Sequence, residues 1–247
     1  MPDTELNLQI IKNDLLNDGK FNIVFLGDSL TSAEWVHPNW REVIEYVLKE
    51  ELIKIFDDWK IPSWGIRCYN SGFDGASTKD LTDRLENHVF SYRPDLVICI
   101  IGDNDMVYGI TPEESREYTK QLIQNITSQI PKLVYCSTIA SGNKNYNQRY
   151  EKYLEQIISL FPQPKVQFLN LYKIFQQYSL NKFFTFVSSG NPEVGIKPGE
   201  IDFLHPNQLG NAYLAEILLK EIFQIDFNPE KYLQDTLSGK MYPEYWL

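Results

Sequence analysis

DLVICII, residues 95–101, decides the fold. After Asp95 every residue is apolar, so no polar alternation marks a solvent-facing side. A strand that is apolar on both sides belongs at the centre of a parallel sheet whose two faces are covered by helices. Working outward, further strands are read at 21–26 (FNIVFL), 66–70 (IRCYN), 132–137 (KLVYCS) and 165–169 (KVQFL). Helical patterns fill the gaps. One begins at Asn39, with Glu42 three residues on as in a capping box, and carries Val43, Ile44, Val47, Leu48, Leu52 and Ile55 on its inner face. Others run over 77–89, from Thr111-Pro112 to about 129, over 146–160, from the fifth strand to about 178, and from Pro206 to about 224. An amphipathic helix over 4–18 precedes the first strand and carries Leu8, Ile11, Leu15 and Leu16. Five strand–helix alternations without repeat or linker predict one three-layer α/β/α domain over residues 1–225, with a five-stranded parallel sheet in the order 2-1-3-4-5 and right-handed crossovers. Residues 226–247 form an aromatic tail without a period, expected to pack on that domain.

Composition narrows the function. The 247 residues are 43% hydrophobic, enough for a sizeable core. A net charge of −10 without a basic cluster disfavours nucleic acid and anionic membrane surfaces as partners. The first twenty residues lack the apolar core of a signal peptide, and the run 96–101 is far too short to span a bilayer. A soluble, cytoplasmic protein without integral membrane association is the expectation. Cys68, Cys99 and Cys136 are odd in number and each falls in a strand, so buried free thiols are expected. Three histidines with no HxxxH or CxxC spacing give no zinc site, and no cofactor is expected.

Sites in such sheets form beyond the carboxyl ends of the strands. Phe21–Thr31, FNIVFLGDSLT, ends its apolar run at Gly27 and presents Ser29 at the sheet edge. Alone, a serine in a turn says little. It is also not a G-x-S-x-G elbow, so its base must come from elsewhere. Asp202 and His205 supply one: three residues apart, they place a carboxylate beside an imidazole, just before the last helix. His205 alone would read as an ordinary helix cap, but with Asp202 and Ser29 it reads as a catalytic base. Acyl transfer also needs donors aimed at the developing oxyanion. The candidates are the Ser29 N–H, the Gly75 N–H, which no side chain obstructs, and the Asn104 side-chain amide in GDNDM (102–106).

Together these blocks resemble the SGNH, or GDSL, hydrolase superfamily. The matching residues are Gly27-Asp28-Ser29-Leu30, the run from Asn70 to Gly75, Gly102 with Asn104 and Asp105, and Asp202 with His205, Pro206 and Asn207. They occur in order and span residues 21–225. The resemblance implies a flavodoxin-like α/β architecture and a carboxylic-ester hydrolase of the esterase/lipase type acting on a small-molecule ester. It implies Ser29 as nucleophile, His205 as base and acid, Asp202 as its orienter, and an oxyanion hole of Ser29, Gly75 and Asn104. It implies no metal. Acyl transfer to an alcohol, or deacetylation of a sugar ester, would use the same triad. A catalytically inactive binding or regulatory module on the same fold is the alternative of another class.

Other readings stand beside this one. Asp103 with Ser137 or Thr138 invites a phospho-acceptor site, which would leave Asp202 and His205 without a role and lacks a lysine at the end of the fifth strand. A flavin-phosphate site after the first strand would face Asp28 and Glu34. Trp35, Trp40 and Trp64 are either a sugar platform or packing residues. The glycine- and proline-rich segment 181–201 reads as irregular, either a lid or a static loop.

Overall fold

The structure is a computed structural model that describes residues 6–32 and 35–246. The expected helix positions 4 and 5, Glu34 and the last tail residue, 247, lie outside the described residues. The strands are β1 (Phe21–Gly27), β2 (Ile66–Gly72), β3 (Leu96–Ile100), β4 (Leu133–Cys136) and β5 (Val166–Leu169). They form one all-parallel sheet in the order β2-β1-β3-β4-β5, as the sequence predicts. Every residue of β1, β3 and β4 is buried, which is the burial that DLVICII requires. The outer strands β2 and β5 are only partly buried.

The helices are α1 (Leu8–Asp18), α2 (Ser29–Ser32), α3 (Trp40–Phe56), α4 (Lys60–Gly65), α5 (Thr78–His88), α6 (Asn104–Val107), α7 (Pro112–Gln129), α8 (Lys144–Ile158), α9 (Leu171–Phe175), α10 (Gln208–Phe223) and α11 (Pro229–Leu237). The expected capping box is present at Asn39/Glu42, and a second forms at Thr111/Glu114. α10 starts later than expected. Its cap is Asn207, whose side chain accepts from the Gly210 N–H at 3.0 Å, and Pro206 lies before it. An asparagine side chain can satisfy an orphan N–H of the first turn, and a proline side chain cannot.

By its contacts the chain divides into two compact units: residues 6–22, 35–68 and 207–246 in one, and 23–32 with 69–206 in the other. In the first unit α3 packs on α10, and the Trp40 N–H donates to Asn211 Oδ1 at 3.2 Å. Trp40 is fully buried there, so its ring is a packing residue and has no face for a sugar. Trp35 and Trp64 are exposed; Trp64 meets Trp59 edge-on and carries Lys60 over its ring. Two residues of the expected apolar stripes, Leu16 and Ile55, are exposed near the ends of their helices. The tail has a period after all: Asn228 caps α11 with Pro229 at its first position. Beyond it, Tyr245 is buried and donates to Glu51 Oε1 of α3 at 2.8 Å, while the Tyr46 hydroxyl donates to the Pro243 carbonyl at 3.1 Å.

In the second unit one sheet face supplies Val24, Leu26, Val97, Cys99 and Ile101, every second residue of adjacent strands. Leu81 and Leu85 of α5, Leu122, Ile123 and Ile126 of α7 and Ile157 of α8 cover it. Each such side chain contributes about 1.5–3 kcal/mol by leaving water. This packing holds the strand ends where the site residues emerge. All three cysteines are free thiols, Cys99 and Cys136 buried and Cys68 partly so.

Candidate active site

Gly27 ends β1 because nothing larger fits: a Cβ there would run into Thr31 and the Ile100 carbonyl. The chain turns at once. The Thr31 and Ser32 N–H groups donate to the Asp28 carbonyl at 3.0 and 2.9 Å, and Asp28 Oδ1 accepts from the Leu30 N–H at 3.0 Å. This knot makes Ser29 the first residue of α2 and leaves it partly exposed while Asp28 and Leu30 are buried.

Ser29 Oγ lies 2.9 Å from His205 Nε2, and His205 Nδ1 lies 2.7 Å from Asp202 Oδ2. The sequence spacing here acts through a turn that is not helical: Asp202 Oδ1 accepts from the Leu204 and His205 N–H groups at 2.8 and 3.1 Å. One carboxylate therefore fixes both the backbone and the ring of His205. Burial pulls the Asp202 pKa up, but its bonds to the His205 ring and to these amides outweigh that and hold the group ionised below its ordinary value. Such a chain of contacts can take a proton from the hydroxyl to the imidazole while the carboxylate steadies the resulting cation.

Segment 181–201, read as irregular from sequence, is a short stitched ribbon. Isolated antiparallel bridges join Val187 to Ile201 and Asn191 to Ile196; across it the Ser188 N–H donates to the Glu200 carbonyl at 2.8 Å and the Gly199 N–H to the Ser188 carbonyl at 2.9 Å. Its last rung is the Asp202 N–H donating to the Phe186 carbonyl at 2.8 Å, so the ribbon anchors the carboxylate from behind. Beside Asp202 a cleft of about 580 Å³ opens, lined by Phe184, Ile201 and Phe203 on apolar sides and by Asn143, Asn181 and Thr185 on polar ones.

The remaining candidates sit on two neighbouring turns. Phe73–Ala76 is a turn closed by the Ala76 N–H on the Phe73 carbonyl at 3.0 Å, with Gly75 at φ +70°, a conformation that suits glycine. Asn104 opens α6 and donates through Nδ2 to the Ala76 carbonyl at 3.0 Å. An amide carries two such hydrogens, so one remains to aim at a substrate. Asp105 is buried and accepts from the Thr78 N–H at 2.8 Å and the Ser115 hydroxyl at 2.6 Å, tying the starts of α5 and α7 to α6.

A pair of interacting carboxyls, Asp28 and Asp103, was not read from sequence. Asp28 is buried, and its Oδ2 has no hydrogen-bond partner among the described residues. Asp103, partly buried, accepts from the Tyr146 hydroxyl at 3.1 Å. Burial first, and then the Asp103 charge, push the Asp28 pKa well up; burial raises Asp103 too, against the Tyr146 bond and the attraction of His205. Asp103 is thus engaged with Tyr146, and Ser137 and Thr138 are buried, which removes the phospho-acceptor arrangement. Raised acids bind protons more tightly folded than unfolded, so stability from this pair is full at acid pH and falls as pH climbs from the ordinary carboxylate value through the raised ones. Asp103→Asn keeps an acceptor for Tyr146 and removes one charge. Its Tm at about pH 8 is expected to equal or exceed that of the parent, with the gap closing toward about pH 4. Calorimetry across that range checks it, and a lower Tm at the alkaline end contradicts it.

Comparison with known proteins bears on the fold and the family. The model of the GDSL-like lipase/acylhydrolase family matches residues 25–213. No curated protein matches the chain. Among solved structures, a catalytic mutant of an acetylxylan esterase from Geobacillus stearothermophilus aligns with TM-score 0.61 and 19% identity over 82% of this chain and 94% of that one. An α/β hydrolase from the metagenome of Lake Arreo, Spain, gives 0.60 and 19% over the same shares. A lipase/acylhydrolase from Enterococcus faecalis gives 0.57 and 22% over 82% and 95%. At such identity the solved structures speak for the fold alone, and the family match speaks for the chemistry. With three quarters of its length matched by that model, the chain belongs to the GDSL-like lipase/acylhydrolase family and is a carboxylic-ester hydrolase.

Proposed function

We propose that the protein hydrolyses a small acyl ester through an acyl-enzyme on Ser29, with His205 as general base and acid and Asp202 orienting it. The observation that carries this reading is the chain of contacts Ser29 Oγ–His205 Nε2 and His205 Nδ1–Asp202 Oδ2, at 2.9 and 2.7 Å. Ser29 Oγ attacks the ester carbonyl carbon as its proton passes to His205 Nε2. The tetrahedral intermediate puts its negative oxygen among the Ser29 N–H, the Gly75 N–H and the Asn104 amide. Collapse breaks the bond to the alcohol, which leaves with the proton from His205. Water then attacks the acyl-enzyme, gives a proton to His205, and the carboxylic acid departs as Ser29 recovers its own.

Acetyl esters of a carbohydrate are the favoured substrates. Support comes from the cleft beside Asp202, whose apolar and amide walls suit a group with both carbon and hydroxyl faces, and from the likeness to structures described as acetylxylan esterases. A panel of esters graded by acyl length, with Ser29→Ala as control, tests this. The expected result is fastest turnover for acetyl, lost in the control; preference for long chains would point to lipid or thioester substrates.

Asn104→Ala is expected to lower kcat about 100-fold or more, the scale of one oxyanion donor, with a smaller change in KM. Steady-state kinetics beside a Tm measurement checks it, and wild-type turnover would remove Asn104 from the oxyanion hole.

A further inference from the structure

We propose that Tyr108 is a positioning residue for the reaction: its hydroxyl fixes the Gly75 turn against α6, so that the Gly75 N–H and the Asn104 amide stay aimed at one point. This rests on the proposal that these two groups hold the oxyanion.

Gly75 is a soft place to mount a donor. Without a Cβ it adopts positive and negative φ with similar ease, so its N–H direction needs restraint from outside. The turn bond from Ala76 to Phe73 restrains it within the loop but does not tie it to Asn104. Two bonds from α6 and its end do. Asn104 Nδ2 reaches the Ala76 carbonyl at 3.0 Å, and the Tyr108 hydroxyl donates to the Gly75 carbonyl at 2.7 Å. Tyr108 is rigidly linked to Asn104, since its own N–H donates to the Asn104 carbonyl at 3.0 Å. Successive carbonyls of the 73–76 turn are thus gripped from one short element. A donor set must be held to within about 0.5 Å to serve a transition state, which a single bond to a glycine loop does not secure.

Tyr108 is half-exposed, which sets it apart from Asp105, the buried residue that ties the start of α5 to α6. Its removal therefore leaves no buried polar atom unpaired and no cavity. Partial burial, and then the charge of Glu193, raise its pKa, so the hydroxyl remains a donor through neutral pH.

Tyr108→Phe deletes the oxygen alone. The expected result is a kcat lower by about tenfold, the scale of one neutral hydrogen bond, with KM changed by less than about twofold and Tm nearly unmoved. Affinity for a boronic acid that forms a tetrahedral adduct on the serine should fall by the same factor as kcat, which a merely structural contact would not produce. In the double variant with Asn104→Ala the losses should be less than additive, because both act on one group. Unchanged kcat, a loss confined to KM, or full additivity would overturn the proposal for Tyr108. If Asn104→Ala alone keeps wild-type turnover, the oxyanion reading fails first, and that outcome is visible without the Tyr108 variant.

Discussion

Ser29→Ala is expected to remove ester hydrolysis, by on the order of 10⁶-fold in kcat as for other serine nucleophiles of this chemistry. The substitution deletes one oxygen from a partly exposed side chain whose hydroxyl meets His205 Nε2. The knot that shapes the loop is made by Asp28, through its carbonyl and Oδ1, and not by the serine hydroxyl. Stability should therefore stay near that of the parent. Parallel measurement of Tm and of turnover on an acetyl ester separates lost chemistry from lost folding. Substantial turnover in a folded Ser29→Ala protein would mean that another group or an activated water attacks the ester.

Asp202→Asn should cost about 10³–10⁴-fold in kcat with the site geometry kept. The reason lies in how the carboxylate is used. Oδ1 already accepts two backbone N–H groups, from Leu204 and His205. An asparagine must keep its oxygen there, so it turns its NH₂ toward His205 Nδ1. The imidazole then has to accept at Nδ1 and carry its proton on Nε2, facing Ser29 with a donor where an acceptor is needed. Rotating the amide instead would set NH₂ against two backbone donors. Alkaline conditions should not restore the lost rate, because the defect is a tautomer. Loss below about tenfold would show that Asp202 is dispensable for orienting the base.

Much of this was legible in the chain, for identifiable reasons. The unbroken apolar run 96–101 fixed β3 as a central strand, and short strands alternating with long helical stripes left few ways to order the sheet. Ser29, Asp202 and His205 were legible as candidates because each sits where local chemistry is distinctive: a strand end after glycine, and a carboxylate three residues before an imidazole. What stayed hidden depends on closure between distant segments. Tyr146 reaches Asp103 across 43 positions and Tyr108 reaches Gly75 across 33, and neither tyrosine differs locally from a packing residue. The ribbon behind Asp202 was hidden for another reason. Its glycines and prolines report turns, while the rungs that join Val187 to Ile201 are backbone bonds with no residue signature. The start of α10 differs from the expectation because Pro206 is a common first helical residue, whereas the capping chemistry belongs to Asn207.

The central claim is that Ser29 is activated by His205 and Asp202, and a fluorophosphonate tests it most directly. Such a probe phosphonylates a serine only where a base takes its proton and oxyanion donors stabilise the adduct. The folded protein is treated with the probe, and the modified peptide is identified by mass spectrometry. The expected result is one adduct per chain on Ser29, absent from Ser29→Ala and formed far more slowly by Asp202→Asn. Folded protein that remains unlabelled, or that carries the adduct on another residue such as Ser32, would contradict it.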